Sequence, residues 1–204
     1  MSTLLPLPRK GTKYVARAAS NLRSGVPVLI AIRDMLHLAS SAREVKAMIH
    51  HKTLKHNGRL VRDMHESIAL FGQLEADKNY RLSLLPAGKF TFKELKKQED
   101  KLCKVIGKRL VAAGKTQLNL HDGTNVVARE KKDALIAIGD SLHLDENNKV
   151  KTHLALEKGR EVFITGGKHL GVTAKVAAVA NGRVTVIYEG GQATLAKSAV
   201  FVTG

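Results

Sequence analysis

SAREVKAMIHHKTLKHNGRLVRD, residues Ser41–Asp63, reads as a capped helix running into a tight hairpin. Ser41-Ala42-Arg43-Glu44 has the form of a capping box, in which the serine oxygen takes the amide three residues on and the glutamate reaches back to the cap. Ala42, Val45 and Ile49 fall on one face of that helix, and Arg43, Lys46 and His50 recur at i, i+3 and i+7 on its neighbour. Asn57-Gly58 between two short runs is a two-residue hairpin signal, because both central positions of such a turn need φ > 0. Pairing about it sets Leu54 opposite Val61 and His56 opposite Arg59, with Lys52, Lys55, Arg59 and Arg62 around the ribbon. Between Ser41 and Arg62 there are six Lys or Arg, three His and one acid, Glu44. A basic helix face alone is only a solvated surface. Here the next element carries the same charge onward, which predicts a docking surface for a polyanion.

The whole chain shares that bias. Its 204 residues hold 34 Lys and Arg against 18 Asp and Glu, a net charge of +16 and a sequence pI near 10.1. Such an excess resists compaction unless a polyanion neutralises it, and each phosphate met by Lys or Arg releases a counterion. Nucleic acid is the expected partner and an anionic membrane surface the rival. Apolar residues make up 44%, enough for a real core, whereas aromatics are 4% with no Trp, so stacking of unpaired bases on aromatic platforms is not the expected main mode. A single cysteine, Cys103, excludes an internal disulfide and fits a reducing compartment. Leu4, Leu5 and Leu7 are broken by Pro6 and Pro8, too short an apolar run for a signal peptide, and no stretch approaches the roughly 20 apolar residues of a membrane span. The chain is expected to be soluble and intracellular.

Toward the N-terminus, residues 1–26 form a basic arm. Met1–Arg23 holds Arg9, Lys10, Lys13, Arg17 and Arg23 and no acid. It predicts a phosphate-tracking segment ordered against a partner; the plain alternative is a solubilising tail. Val28–Leu38 follows as a core helix, with Leu29, Ile32 and Leu36 on one stripe, Pro27 at its start, and Arg33 and Asp34 as solvated charges.

Toward the C-terminus, Ile68–Leu70, Tyr80–Leu84 and Lys89–Phe92 are short strand-like runs that close a small sheet behind the hairpin. Phe92–Lys104 reads as a polar helix or linker. From Leu102 to Leu144 the pattern is again β-like, with turns at Ala113-Gly114-Lys115 and Asp122-Gly123 and a strand beginning at Gly139–Leu144. Val162–Gly171 is a strand and a glycine-rich turn that presents Lys168 and His169, returning through Lys175–Val179. Further strands are expected at Arg183–Tyr188, Ala193–Leu195 and Val200–Val202, with turns at Asn181-Gly182 and Gly190-Gly191. The plain alternative for the glycine loop is a structural hairpin.

Three sets of residues carry a family resemblance. Ala42–Lys46 and Lys55–Asp63 resemble the helix–hairpin core of the S-four RNA-binding module, and Val162–Gly171 with Lys175–Val179 looks like a KOW motif on a small SH3-like barrel. Pro8–Val15, Pro27–Leu38, Lys101–Val105 and Lys115–Asn125 are similar to the archaeal and eukaryotic-type small-subunit ribosomal protein family S-four-e. The resemblance runs through nearly the whole chain in order. It implies an α+β fold: a basic arm at 1–26, an S-four-type module at 27–92, a β-rich central domain at 93–158, and a KOW/SH3-like barrel at 159–204. Longer family members carry a basic block before the arm and some a tail after the barrel; contacts made by those pieces are not carried over.

Other chemistries fit less well. Gly114-Lys115-Thr116 imitates the end of a P-loop, but Arg109 stands where a glycine is needed, and His169 replaces the Ser/Thr that would follow Gly167-Lys168. Nine histidines and one cysteine show no metal-ligand spacing, and His50 and His51 point apart on a helix. S-four modules also serve as RNA-gripping domains of RNA-modifying enzymes, and a KOW-containing transcription or translation factor would account for the barrel. After the module only two small β units remain, without paired carboxylates or a Ser/Cys–His constellation. The expectation is therefore a structural constituent of the small ribosomal subunit and no enzyme, with no cofactor, metal, membrane or small-molecule substrate. Its partners are small-subunit rRNA and neighbouring ribosomal proteins. RNA contacts are expected at Arg9, Lys10, Lys13, Arg17, Arg23, Arg43, Lys46, His50, Lys52, Lys55, His56, Arg59, Arg62, Lys168 and His169.

Overall fold

The computed structural model describes residues 4–8, 15–22, 24–96, 100–111, 115–128, 135–145, 147–180 and 182–204. Arg9, Lys10, Lys13 and Arg23 lie outside the described residues, as do Ala113 and Gly114 of one expected turn and Asn181 of another. The chain divides into two compact units, residues 1–99 and 100–204.

In the first unit β1 (Val26–Pro27) pairs with β4 (Ser67–Ile68). The chain then enters α1 (Val28–Ile30), which widens at once into a π-helical turn, Ala31–Met35, closed by the Leu36 N–H on the Ala31 carbonyl at 2.9 Å. The regular helix expected over Val28–Leu38 is thus corrected: apolar spacing over so short a run does not separate 3.6 residues per turn from a wider one. The wide turn sets Arg33 beside Asp34 in a two-pronged ion pair, both bonds 2.9 Å, so these charges are half-buried partners and not solvated. After α2 (Ala42–His50), a five-stranded antiparallel sheet has the order β3-β2-β5-β6-β7. Its strands are β2 (Lys55–His56), β3 (Arg59–Leu60), β5 (Gln73–Glu75), β6 (Asn79–Leu84) and β7 (Phe90–Leu95). Val28–Ile32, Val45, Leu54, Ile68, Leu74 and Leu82 form the buried interior of this unit.

The arm is tacked onto the first unit more firmly than its composition suggests. Leu5 and Ala18 are buried, the Phe90 N–H donates to the Leu4 carbonyl at 2.8 Å, and the Ala19 N–H donates to His65 at 2.7 Å. Two apolar side chains find cover, and the backbone bonds accompany them.

Phe92–Lys104 is neither helix nor linker at its ends. Phe92–Leu95 belongs to β7, and Lys101–Lys104 opens the long strand β8 (Lys101–Leu110). Lys, Glu and Leu favour a helix locally, but pairing of Leu82 with Phe92 and of Leu102 with His143 overrides that preference. The second unit holds two five-stranded antiparallel sheets. One has the order β10-β9-β8-β11-β12, adding β9 (Thr116–Leu120), β10 (Asn125–Val127), β11 (Ser141–Leu144) and β12 (Val150–Leu154). Its inner face is Cys103, Val105, Leu118, Leu120, Val126, Ile136, Leu142 and Leu144. The other has the order β16-β15-β14-β13-β17, from β13 (Glu161–Ile164), β14 (Thr173–Ala180), β15 (Arg183–Tyr188), β16 (Gly191–Ala196) and β17 (Val200–Val202). Alternate valines, among them Val162, Val176, Val184, Val186, Val200 and Val202, fill its interior. The molecule is a β-rich α+β protein whose helical segments, among the described residues, are short.

Candidate nucleic-acid interface

The N-terminus of α2 is capped as its sequence predicts. Ser41 is extended (φ −137°, ψ 157°), its Oγ accepts the Glu44 N–H at 3.3 Å, and Glu44 returns to the Ser40 N–H at 2.8 Å and the Ser41 hydroxyl at 3.0 Å. The Ser40 amide, with the Ser41 hydroxyl behind it, holds the Glu44 carboxyl below the usual range. The helix therefore begins with its one acid folded back over its cap. Val45 is buried, and Arg43, Lys46 and His50 stand on the exposed side. At the other end Lys52 takes a left-handed conformation (φ 58°), and the Thr53 hydroxyl donates to the Met48 carbonyl at 3.0 Å. The chain thereby turns directly from helix to hairpin.

Asn57 (φ 50°) and Gly58 (φ 77°) form the turn, with His56 opposite Arg59 and the Val61 N–H on the Leu54 carbonyl at 3.1 Å. The tip is also braced from behind. The Asn57 N–H donates to the Gln73 carbonyl and the Gln73 N–H to Asn57 Oδ1, each at 2.9 Å. That brace joins the hairpin to β5, and no local pattern announces it.

The expected contact residues do not form one uniform group. Arg43, Lys46, Lys52 and Arg62 are exposed and have no carboxylate partner among the described residues. Lys55 pairs with Glu75 at 3.4 Å and Arg59 with Glu66 at 3.5 Å; both cations remain at least half exposed, so these pairs hold them only weakly. His56 differs from the rest, since its Nε2 is buried beside Gly72. Arg17 is exposed on the arm, where its carbonyl contacts His65 Nδ1 at 3.0 Å.

In the second unit the loop between β13 and β14 turns on Gly167 (φ 88°), where a side chain would be strained, and sets Lys168 outward. His169 is half-buried, its ring 4.6 Å from that of Tyr188 and its Nε2 3.4 Å from the Tyr188 hydroxyl. Tyr188 was not expected at this loop; it arrives from β15.

One cluster escapes a search by spacing. Pairing of β8 with β9 brings Cys103, His121 and Asp122 within 4.8 Å of one another. The carboxylate and the imidazole Nδ1 are already engaged. Asp122 pairs with Lys101 and accepts from the Thr124 N–H and hydroxyl at 3.1 and 2.6 Å. Burial pushes its carboxyl up, but Lys101 and Thr124 together bring it below the ordinary value. His121 Nδ1 accepts the Lys104 N–H at 3.2 Å, and burial pushes the Cys103 thiol up, away from the thiolate that a metal requires. The cluster reads as interior packing. A cavity of about 630 Å³ in the first unit is lined by Pro6, Pro8, Arg33, Asp34 and His37, with its carboxylate committed to Arg33. No helix among the described residues is long and apolar enough to cross a membrane.

Comparison with known proteins gives the family. The profile of ribosomal family S4e matches residues 76–150. The small ribosomal subunit protein eS4 of Methanocaldococcus jannaschii is 31% identical over 185 residues, covering 85% of this chain and 76% of that protein. The eS4 protein of Archaeoglobus fulgidus is 32% identical over 212 residues, 97% of this chain and 88% of its own. The fold is similar to the crystal structure of the 30S ribosomal protein S4e from Thermoplasma acidophilum, with a TM-score of 0.74 and 25% identity, over 89% of this chain and 95% of that one. With that identity sustained over most of both sequences, the chain belongs to the S4e family of small-subunit ribosomal proteins.

Proposed function

We propose that this protein is a structural constituent of the small ribosomal subunit, located on the cytoplasmic ribosome, which binds folded rRNA through the α2–hairpin face. It acts as a scaffold and not as an enzyme. The observation that carries this reading is the set Arg43, Lys46, Lys52 and Arg62: four exposed cations without a carboxylate partner among the described residues, on a helix and ribbon braced at both ends. Cations presented on a braced backbone in this way meet phosphates and set register, and do not read bases. In this reading residues 27–92 are an S-four-type module, 93–158 a central β domain, and 159–204 a KOW/SH3-like barrel whose Lys168 and His169 make a second contact. The basic arm makes a third, through Arg17 with Arg9, Lys10, Lys13 and Arg23. Neighbouring small-subunit proteins are the further partners.

Binding to small-subunit rRNA across a salt series tests it. Arg43→Gln with Arg62→Gln should lower the slope of log affinity against log salt by about two, one for each lost phosphate contact. An unchanged slope would place the rRNA on another face. Wild-type protein absent from sedimenting small subunits would remove the ribosomal role altogether.

A further inference from the structure

The β10-β9-β8 side of the first sheet in residues 100–204 has an outer face that the reading above does not use. Its inner face is the apolar core. Among the described residues the outer face is covered at one end: Lys104 donates from Nζ to the carbonyls of Lys197, Ser198 and Val200 at 2.8, 2.9 and 2.5 Å, and the His121 ring meets Phe201 edge-on at 5.1 Å. Past the bulge at Val105–Gly107 that cover ends. Register then places two rows across three strands, Gly107–Asn119–Asn125 and Arg109–Gln117–Val127. Arg109, Asn125 and Val127 are exposed, and Gly107, Gln117 and Asn119 are half-exposed.

These rows have a distinct chemistry. Three of the six residues are carboxamides, one is an arginine, and one is a glycine that keeps the β8 side of the face low. The Gln117 amide donates to Asn119 Oδ1 at 3.1 Å, which fixes both groups and leaves the Asn119 NH₂ and the Gln117 oxygen for a ligand. Asp122 is the only acid in residues 101–128, and it is taken by Lys101. Arg109 and Lys115 have no carboxylate partner among the described residues. The six residues of the two rows include no aromatic ring to stack unpaired bases, and Val127 is their sole apolar side chain, so the rows lack the anchors of a protein interface.

We infer that this face binds double-helical RNA across its minor groove. That groove is wide and shallow and displays 2′-hydroxyls and base edges, each a donor and acceptor array that amides match. Three strands about 4.8 Å apart give a platform of about 10 Å, with rows about 7 Å apart. Arg109 and Lys115 then reach the phosphates at its rim. The inference rests on the ribosomal reading but concerns a separate surface, in a separate unit from the α2–hairpin face.

Directed cleavage on the full chain separates the two. Cys103 is the only cysteine and is fully buried, so Val127→Cys and Lys52→Cys each create one accessible thiol for an iron–EDTA tether. Bound to small-subunit rRNA, the position-127 tether should cut both strands of one helix, staggered across its minor groove, several-fold above the untethered parent. Cleavage from position 52 alone overturns the inference and leaves the proposed function standing; cleavage from neither position sinks both. In assembled subunits, capture of the position-127 thiol by a neighbouring protein instead of rRNA also overturns it. A second readout uses a short RNA duplex and the DNA duplex of the same sequence. Gln117→Ala with Asn119→Ala should narrow the preference for RNA about tenfold, as expected for two lost hydrogen bonds; an unchanged preference overturns the inference.

Discussion

Lys104 is the residue whose sequence context says least about its role. In sequence it only closes the polar run Phe92–Lys104, yet it is 6% exposed and its ammonium is spent on three backbone carbonyls. It ties β8 to the Lys197–Val200 segment that leads into β17, and so joins the two sheets of residues 100–204. Burial, with Lys197 nearby, pushes its pKa from the ordinary 10.5 down to about 8. The unfolded chain then binds more protons than the folded one between about pH 8 and 10.5, so stability from this group rises with pH through that window and is flat below it. Lys104→Met should cost about 3 kcal/mol at neutral pH, because it strands buried carbonyls. The gap between wild type and variant should widen on going from pH 8 to 10, by at most about 1.4 kcal/mol per pH unit. Denaturant melts at several pH values measure both. A gap that narrows instead would mean the carbonyl cage holds the ammonium more tightly than water does.

The α2–hairpin element shows what is legible and what is not. Capping boxes and Asn-Gly turns are local chemistry, so Ser41, Glu44, Asn57 and Gly58 stand where their sequence places them, down to His56 opposite Arg59. The Gln73 brace, the buried face of His56 and the Cys103–His121–Asp122 cluster depend on strand partners distant in sequence, and no window of residues contains them. The same holds for Phe92–Lys104, where the sheet partner outweighs helix-favouring composition, while the π-helical turn at Ala31–Met35 hides in an apolar run too short to reveal its period. Two substitutions probe the local part. Ser41→Ala should lower stability by about 1 kcal/mol by uncapping α2. Gly58→Val should cost at least about 1–2 kcal/mol even though nothing lies within 4 Å of a Cβ there, since the penalty is the left-handed backbone itself. Chemical denaturation reads both. Gly58→Val should in addition weaken rRNA binding without changing the cation count, and if affinity is untouched the turn does not position Arg59 and Arg62.

Across the molecule the positive charge is divided. Residues 1–99 hold 18 Lys and Arg against 8 Asp and Glu, a net +10, and residues 100–204 hold 16 against 10, a net +6. Each unit has its own buried apolar interior, the first around Leu54, Ile68 and Leu74 and the second around Leu118, Leu142 and Val186. Neither half is a charged appendage of the other, which is what a protein gripping one large polyanion at several points requires. Once one unit is bound, the second meets its RNA at the effective concentration set by the covalent link, in the millimolar range for short linkers. The two halves, 1–99 and 100–204, should therefore each fold with a cooperative melt and each bind small-subunit rRNA more weakly than the intact chain. Each should also show a shallower salt dependence, steeper for 1–99 than for 100–204 because more cations meet phosphate. An equimolar mixture of the halves should stay orders of magnitude weaker than the intact chain at the same concentration, since mixing restores every contact but not the link. If residues 1–99 alone match the affinity and salt slope of the full protein, the second unit does not hold rRNA, and its net +6 serves solubility instead of grip.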